Sequence, residues 1–216
     1  MVIKFNDPID WMNIELRGIR RAYFVPEIFQ GDGVCVDIGA NVGGFPLIHS
    51  TRFKEIHCYE PASYTYNECI KNTKLLKNVY VYNLAVTDVT GDVVKLKSHK
   101  GGNCSGNASL LDNSEWNDEE NFEMVKTISF VDIVNRLNLN EEKNYLKIDT
   151  EGSEYKILMN ADLSMINYLA VEIHIQLGMK KINELMAYLS TFFSIIRESG
   201  GGGSHYEITY INRNLK

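Results

Sequence analysis

Short apolar runs alternate along the chain with segments whose apolar residues recur at helical spacing. The apolar runs predict strands over 34–39, 55–60, 79–86, 145–149, 168–175, 192–198 and 205–212. The helical spacing predicts helices over 43–48, 62–77, 129–139, 152–160 and 179–189. Because strands and helices alternate, we expect an α/β fold with a mostly parallel sheet covered on both faces. The last two strands are too close in sequence for a helical crossover, so they should pair antiparallel.

Two segments depart from this alternation. The N-terminal segment 1–30 is predicted to be helical, mostly over 8–30, with Tyr23 among its apolar positions. Residues 88–126 are polar and rich in glycine, which predicts an inserted hairpin and loop. Such long connections are usually functional or disordered, so we expect a lid over the active face, with a solvated decoration as the alternative. The whole chain, 1–216, is predicted to form a single domain.

Composition and charge narrow the class of protein. The net charge is -6 and the pI about 5.4, which argues against tight binding to a long nucleic acid. No apolar run is long enough to span a bilayer, and the first residues lack the apolar core of a signal peptide. The four cysteines are scattered, which favours buried, reduced thiols over a disulfide or a zinc site. We therefore expect a cytoplasmic protein that does not bind membranes.

A glycine-rich turn and a terminal acid predict a nucleotide site. Gly39 and Gly43 follow the first strand and would allow a ligand to approach the backbone closely. Glu60 ends the next strand, 21 residues after Gly39, where a carboxylate can accept both hydroxyls of a ribose. Dinucleotide-binding proteins share these features, but their spacing is Gly-x-Gly-x-x-Gly. Asp37 would also repel a pyrophosphate and attract a cationic ligand; the alternative is that it caps neighbouring backbone amides.

Polar side chains at the ends of the fourth and fifth strands predict the chemistry. Asp149 follows one strand, and Glu172 and His174 point to the same side of the next. Together they could form a general base or a divalent-metal site. The alternatives are a structural hydrogen bond from Glu172 to a loop and a core position for His174. Three further candidates are Glu151, Glu154 and His205. The two glutamates are predicted to lie in the first turn of a helix, and the helix dipole explains acidic residues there equally well.

These motifs resemble the FkbM family of class I methyltransferases. The resemblance is carried, from about Gly31 to Ile175, by Asp37-Ile38-Gly39-Ala40-Asn41-Val42-Gly43, by Tyr59-Glu60-Pro61 and by Leu146-Lys147-Ile148-Asp149-Thr150-Glu151-Gly152-Ser153-Glu154. It implies a seven-stranded Rossmann-like sheet whose last strand is antiparallel, S-adenosylmethionine as cofactor and oxygen as the usual methyl acceptor. On the family pattern, residues that line the methionine end are Asp37, Gly39, Asn41 and Gly43. Glu60 then holds the ribose, and Pro61 and Ala85 are further expected cofactor contacts.

Three functional hypotheses follow from the sequence. The first is an O-methyltransferase acting on a small molecule or glycan. The second is an RNA ribose methyltransferase, which would need a basic groove; the clearest basic cluster, Lys95-Lys97-His99-Lys100, is short. The third is a module that binds S-adenosylmethionine without turnover. The identity of the acceptor and the oligomeric state do not follow from the sequence.

Overall fold

The fold is described by a computed structural model that covers residues 22–99, 108–110, 117–140, 142–159, 161–200 and 205–215. Its strands are β1 (Val34–Ile38), β2 (Glu55–Tyr59), β3 (Val79–Tyr82), β4 (Ala85–Thr87), β5 (Val93–His99), β6 (Asn117–Ser129), β7 (Asn144–Ile148), β8 (Tyr168–His174), β9 (Phe193–Gly200) and β10 (His205–Asn212). Its helices are α1 (Gly44–His49), α2 (Ser63–Thr73), α3 (Phe130–Leu137), α4 (Glu154–Met159) and α5 (Met179–Phe192). Short 3₁₀ turns follow α1 and β8.

Seven strands form one sheet in the order β3-β2-β1-β7-β8-β10-β9. All neighbours from β3 to β8 pair in parallel, whereas β10 runs antiparallel to both β8 and β9. The predicted Rossmann-like sheet with an antiparallel last strand is confirmed. The strand order reverses between β1 and β7, so the loops after these strands diverge and leave a crevice at the carboxyl edge.

Both faces of the central strands β1 and β7 are buried, as the continuous apolar runs predict. Successive residues of β1 point to opposite faces, so Val34, Val36 and Ile38 join one core cluster and Cys35 joins the other. The first cluster packs against α3, α4 and α5. The second packs against α1, α2 and the segment before β1, and its free thiols include Cys58 and Cys69.

A second, three-stranded sheet projects from the chain between β3 and α3. Strands β5 and β6 pair antiparallel as a hairpin, and β4 pairs in parallel with β6. The prediction of one strand over 79–86 is wrong, because the chain leaves the main sheet after Tyr82 and enters the small one at Ala85. Asn83 stabilises this departure, since its Nδ2 donates to the backbone oxygens of Glu60 and Pro61 at 3.0 and 2.7 Å.

The structure describes only part of the predicted N-terminal helix and of the predicted lid. Residues 1–21 lie outside the described residues, as do 100–107 and 111–116 of the predicted lid. From Tyr23 to Gln30 the chain is not helical, which contradicts the helix predicted to residue 30. Pro26 explains the difference, because a proline removes a helical hydrogen bond and disfavours helical geometry at the residue before it. No helix among the described residues is long and apolar enough to cross a membrane.

Candidate functional site

The turn after β1 passes directly against the end of β7. Gly39 has φ 78°, and a Cβ atom at this position would lie 1.6 Å from the backbone oxygen of Asp149. The Gly39 amide donates to Tyr59 O at 2.9 Å, and the Asp149 amide donates to Ile38 O at 2.9 Å. Only glycine fits here, and this close approach brings the ends of β1, β2 and β7 to one place.

A cleft with about 620 Å³ of open space lies at this edge. Glu60 lies in its wall: Oε2 accepts from the Asn41 amide at 2.8 Å, and Oε1 accepts from the Ala62 amide at 3.0 Å and from Thr65 Oγ1 at 2.8 Å. Burial raises the pKa of Glu60, and these hydrogen bonds oppose that rise. The predicted cofactor residues that line the cleft are Gly39, Asn41, Glu60, Pro61 and Ala85.

Two buried polar atoms in the cleft indicate a ligand. Asn41 Oδ1 and Thr150 Oγ1 are inaccessible to solvent, and neither has a hydrogen-bond partner among the described residues. Buried polar atoms are nearly always paired, because an unpaired one costs about 1–3 kcal/mol. A bound molecule with hydrogen-bonding groups would satisfy both atoms. The sequence motif that contains Thr150 did not by itself assign this residue a role.

Two predicted cofactor residues lie outside this cleft lining. Asp37 is fully buried, and its cationic partner is Lys147, whose Nζ lies 3.0 Å from Asp37 Oδ1. Burial raises the pKa of Asp37, and Lys147 opposes the rise. Gly43 has φ 88°, and a Cβ there would lie 3.0 Å from Cys69 Sγ on α2. Gly43 therefore permits close packing of α1 against α2, and its predicted contact with the cofactor stays a prediction.

The predicted catalytic carboxylates meet around a tyrosine. Tyr23 Oη lies 2.8 Å from Asp149 Oδ2 and 3.1 Å from Glu172 Oε2. Burial raises the pKa of Glu172 to about 8, with a further contribution from the charge of Asp149. Burial and the two carboxylates raise the pKa of Tyr23 well above its usual range, so the phenol remains a hydrogen-bond donor.

His174 is enclosed by acids on both ring nitrogens. Nδ1 makes a very short contact with Glu154 Oε1, and Nε2 lies 3.3 Å from Glu151 Oε2 and 3.5 Å from Glu172 Oε1. Burial lowers the pKa of His174, but the hydrogen bond and charge of Glu154 outweigh burial and raise the pKa to about 10. The raised pKa favours a protonated ring at neutral pH, and a protonated ring has no lone pair with which to act as the predicted base.

The remaining candidates complete the acidic cluster. Glu154 is fully buried, and the backbone of Glu151 has φ 51° where the chain turns towards α4. Burial raises the pKa of Glu151 to about 7, and the charge of His174 opposes the rise. His205, on β10, has Nδ1 3.0 Å from Glu172 Oε1 and Nε2 3.4 Å from Glu207 Oε1.

The arrangement of the acidic cluster partly supports the predicted divalent-metal site. Asp149, Glu172 and His174 offer ligand atoms within 4.8 Å of one another. However, a histidine ligand must present a free ring nitrogen, and both nitrogens of His174 face carboxylates. As arranged, the cluster fits an internal ion-pair network better than a metal centre.

Sequence reasoning missed two other members of the site. Tyr23 belongs to the segment before β1, where no spacing links it to the carboxylates that it contacts. Lys147 lies within a buried strand, and its Nζ reaches Gly39 O at 2.7 Å and Asp37. A lysine in the middle of an apolar strand is a signal that could have been used, because a buried lysine nearly always has an acidic partner.

Comparison of the sequence with models of protein families assigns the chain to a family. The family model described as the methyltransferase FkbM domain matches residues 37–206. The chain belongs to the FkbM methyltransferase family. The matched part of this FkbM chain runs from β1 to the start of β10, so it includes the cleft, the acidic cluster and the hairpin. No curated protein sequence matches the chain.

Solved structures show the same fold at low sequence identity. Methyltransferase FkbM from Methylobacillus flagellatus KT has a TM-score of 0.52 at 14% identity over 83% of this chain, which spans only 44% of that one. The fibrillarin pre-rRNA processing protein of Methanococcus jannaschii has a TM-score of 0.52 at 13% identity, over 98% of this chain and 82% of that one. Aeropyrum pernix fibrillarin, solved with natively bound S-adenosyl-L-methionine, has a TM-score of 0.50 at 11% identity, over 92% of this chain and 74% of that one.

Proposed function

We propose that this FkbM-family protein is an S-adenosylmethionine-dependent methyltransferase that methylates a hydroxyl of a small molecule or glycan. The observation that carries the proposal is the cleft at the carboxyl edge, where Glu60 is fixed by three donors and Asn41 and Thr150 present unpaired polar atoms. S-adenosylmethionine, when bound, supplies a methyl group already activated by its sulfonium. The fibrillarin with bound S-adenosyl-L-methionine shares the sheet, which supports this choice of cofactor by analogy of fold.

Glu60 retains the capacity to accept hydroxyl donors. A carboxylate has about four lone-pair sites, and among the described residues three donors occupy those of Glu60. Thr65 Oγ1 also lies 3.2 Å from Ala62 O, so its hydroxyl can rotate to that acceptor and free Glu60 Oε1. Glu60 can then accept both hydroxyls of a ribose, one on each oxygen.

Asp149 is the strongest candidate for the base that removes the acceptor's proton. It lines the cleft and is partly exposed, whereas His174 is buried and already protonated. We assign His174 a different role, which is to pair with Glu154 and to reduce the repulsion between Glu154, Glu151 and Glu172 behind the reacting group. Alignment of the acceptor with the activated methyl supplies the rest of the catalysis.

Calorimetry of the purified chain tests cofactor binding. We expect S-adenosylmethionine and its demethylated product to bind with a Kd of about 1 μM, which corresponds to about -8 kcal/mol. Glu60→Gln should weaken binding by about 1–3 kcal/mol, because it removes the charge that the hydroxyls meet. Glu55→Gln is the matched control, since Glu55 lies at the opposite end of the same strand and should not matter. Absence of binding, or preference for NAD, would refute the proposal.

Methyl transfer is tested with radiolabelled S-adenosylmethionine and a panel of glycans and hydroxylated small molecules. Asp149→Asn should lower turnover by about 10²–10⁴-fold while cofactor affinity changes little. A chelator should leave turnover unchanged, because both ring nitrogens of His174 are engaged. Loss of turnover with chelator, restored by added metal, would instead favour the metal centre. Binding without transfer to any acceptor would favour the non-catalytic module.

A further inference from the structure

A continuous series of hydrogen-bonding groups leads away from Asp149. Tyr23 Oη lies 2.8 Å from Asp149 Oδ2 and 3.1 Å from Glu172 Oε2. Glu172 Oε1 lies 3.0 Å from His205 Nδ1, and His205 Nε2 lies 3.4 Å from Glu207 Oε1. The Asp149–Tyr23 and Glu172–His205 distances are within the range of a direct hydrogen bond, the Tyr23–Glu172 distance is just above that range, and the His205–Glu207 distance is longer.

The series passes from the interior to the surface. Tyr23 is 4% exposed, the Glu172 side chain is 13% exposed and the His205 side chain is 30% exposed. His205 is thus the member that solvent reaches most easily, apart from Asp149 at the other end. An acceptor bound against Asp149 would cover that carboxylate and leave His205 as the nearest open exit.

Tyr23 is held rigidly at the centre of the series. Its ring lies edge-on to Phe45 with 6.1 Å between centroids, and Lys147 Nζ lies 5.1 Å from the ring centroid. The phenol has a single proton, but two carboxyl groups face its oxygen. The second carboxyl must therefore either repel the phenol oxygen or hold a proton of its own, and in the latter case a proton can pass through the phenol.

We propose that Tyr23 and Glu172 carry the proton released by the acceptor from Asp149 to His205, where it leaves to solvent. Methylation of a hydroxyl replaces its O–H bond by an O–CH₃ bond and releases one proton, which Asp149 accepts. Tyr23 then takes a proton from Asp149 as it donates its own to Glu172. Glu172 passes a proton to His205 Nδ1, and His205 releases one from Nε2, which leaves the ring protonated at Nδ1. Exchange of this proton with solvent restores the starting tautomer of His205, and the other groups return to their starting states. This inference rests on the proposed function.

The surroundings of Glu172 suit a transient proton carrier. Its pKa of about 8 lies close to neutrality, so it can both gain and lose a proton under ordinary conditions. The titratable groups that face it, from the N-terminal segment and from the ends of β7, β8 and β10, are Tyr23, Asp149, Glu151, His174, His205 and Glu207. His174 stays protonated by contact with Glu154, so it balances charge without joining the transfer.

Turnover of variants tests the path with an acceptor found by the panel. Tyr23→Phe keeps the packed ring and should lower kcat by about 10–100-fold, with cofactor Kd and acceptor KM unchanged. His205→Ala should lower kcat similarly, and added imidazole should restore it, because a soluble base can replace the exit group. Tyr188→Phe removes a hydroxyl bonded to Ala161 O on the far side of the sheet and should leave kcat unchanged. Normal kcat in Tyr23→Phe, or no rescue of His205→Ala by imidazole, would overturn the proposal.

A second measurement needs no acceptor and separates this inference from the function. In Tyr23→Phe, Glu172 faces Asp149 without a donor, so the ionised form of Glu172 becomes more costly in the folded state. The loss of Tm relative to wild type should therefore be small below about pH 7 and grow as the pH rises through about 8, the pKa of Glu172. The loss in Tyr188→Phe should not vary with pH. An equal, pH-independent loss in both variants would show that Tyr23 does not bridge the carboxylates, even if the chain binds S-adenosylmethionine and transfers methyl groups.

Discussion

At the scale of single residues, burial and pairing determine which groups of the site carry charge. Burial raises the pKa of Glu172 to about 8 and that of Glu151 to about 7, so both are poised near neutrality. His174 responds oppositely, since contact with Glu154 outweighs burial and keeps the ring positive. A histidine and two glutamates at adjacent strand ends thus have roles that their intrinsic pKa values would not predict.

The charge of His174 gives the protein a pH-dependent stability. The unfolded pKa of about 6.5 rises to about 10 on folding, so the stabilising effect is complete below 6.5 and disappears as the pH rises through 10. His174→Gln should therefore lower Tm strongly near pH 6 and much less near pH 10, as measured by calorimetry. His57→Gln is the control of opposite sign, because burial lowers the pKa of His57 and its neutral form stabilises the fold. A loss in His174→Gln that increases with pH would contradict the assignment.

Gly39 is expected to be irreplaceable for steric reasons. Gly39→Ala places a methyl group against the backbone of Asp149 and should abolish cofactor binding in calorimetry, because the end of β7 must move. Gly91→Ala is the matched control: Gly91 has φ 91°, and a Cβ there meets no atom within 4 Å. The control should lose only the left-handed backbone preference, about 1–2 kcal/mol of stability, and keep full affinity. Equal effects in the two variants would mean that φ alone, and not the contact, requires Gly39.

At the scale of elements, the hairpin of β5 and β6 contributes to the cofactor cleft. Leu96 of β5 packs in a small cluster with Ala62, Ala85 and Val125, and Ala108 and Leu110 lie against it. Leu96, Ala108 and Leu110 also line the cleft beside Glu60. The insertion is thus a wall of the cleft, in addition to any part it has in selecting the acceptor.

Replacement of residues 98–118 by a short turn tests this contribution. We expect weaker binding of S-adenosylmethionine as well as loss of turnover, because the change removes Ala108 and Leu110 from the wall. Leu110→Ala alone should cost about 1–2 kcal/mol of cofactor affinity through lost apolar contact. Val131→Ala, at an exposed position on α3, is the control and should bind normally. If the variant with the replaced segment bound S-adenosylmethionine with wild-type affinity, the insertion would contribute only to binding of the acceptor.

The elements of the main sheet were predictable because their signals are local. Buried strands give apolar runs, and the carboxyl ends of parallel neighbours meet, which predicted one site at Gly39 and Glu60 and a second group of side chains at Asp149, Glu172 and His174. Tyr23 was not predictable, since its contacts join positions 126 and 149 residues apart without any spacing rule. The division of the strand at Asn83 was also missed, because the apolar pattern continues across the point where the chain changes sheets.

At the scale of the whole molecule, charge argues against a nucleic-acid substrate. The net charge is -6, and of the short basic cluster the structure describes only the side chains of Lys95 and Lys97. Lys97 is buried, and Lys95 lies over the ring of Phe122 at 4.5 Å. The likeness to fibrillarins, at 11–13% identity, shows the fold alone.

Binding of single-stranded RNA should accordingly be weak. Fluorescence anisotropy at physiological salt should give a Kd no tighter than about 10⁻⁵ M, the range of non-specific association. Tight binding with a steep salt dependence, reduced by Lys95→Ala, would instead favour an RNA ribose methyltransferase. The same Kd is expected when the demethylated product of S-adenosylmethionine is bound. This control would detect an RNA site that forms only in the cofactor-bound protein.

The position of β10 has a consequence for how the protein is made. This strand follows β9 in sequence, yet it lies inside the sheet and joins β9 to β8. While a ribosome has made the chain only as far as Gly200, β8 presents an open edge and β9 lacks the strand that holds it in the sheet. Such edges readily pair with other molecules, so the nascent protein is most prone to aggregate in the interval before β10 emerges. Folding of the sheet must await residues 205–212, and a chaperone that covers β8 during that interval should raise the yield of native protein.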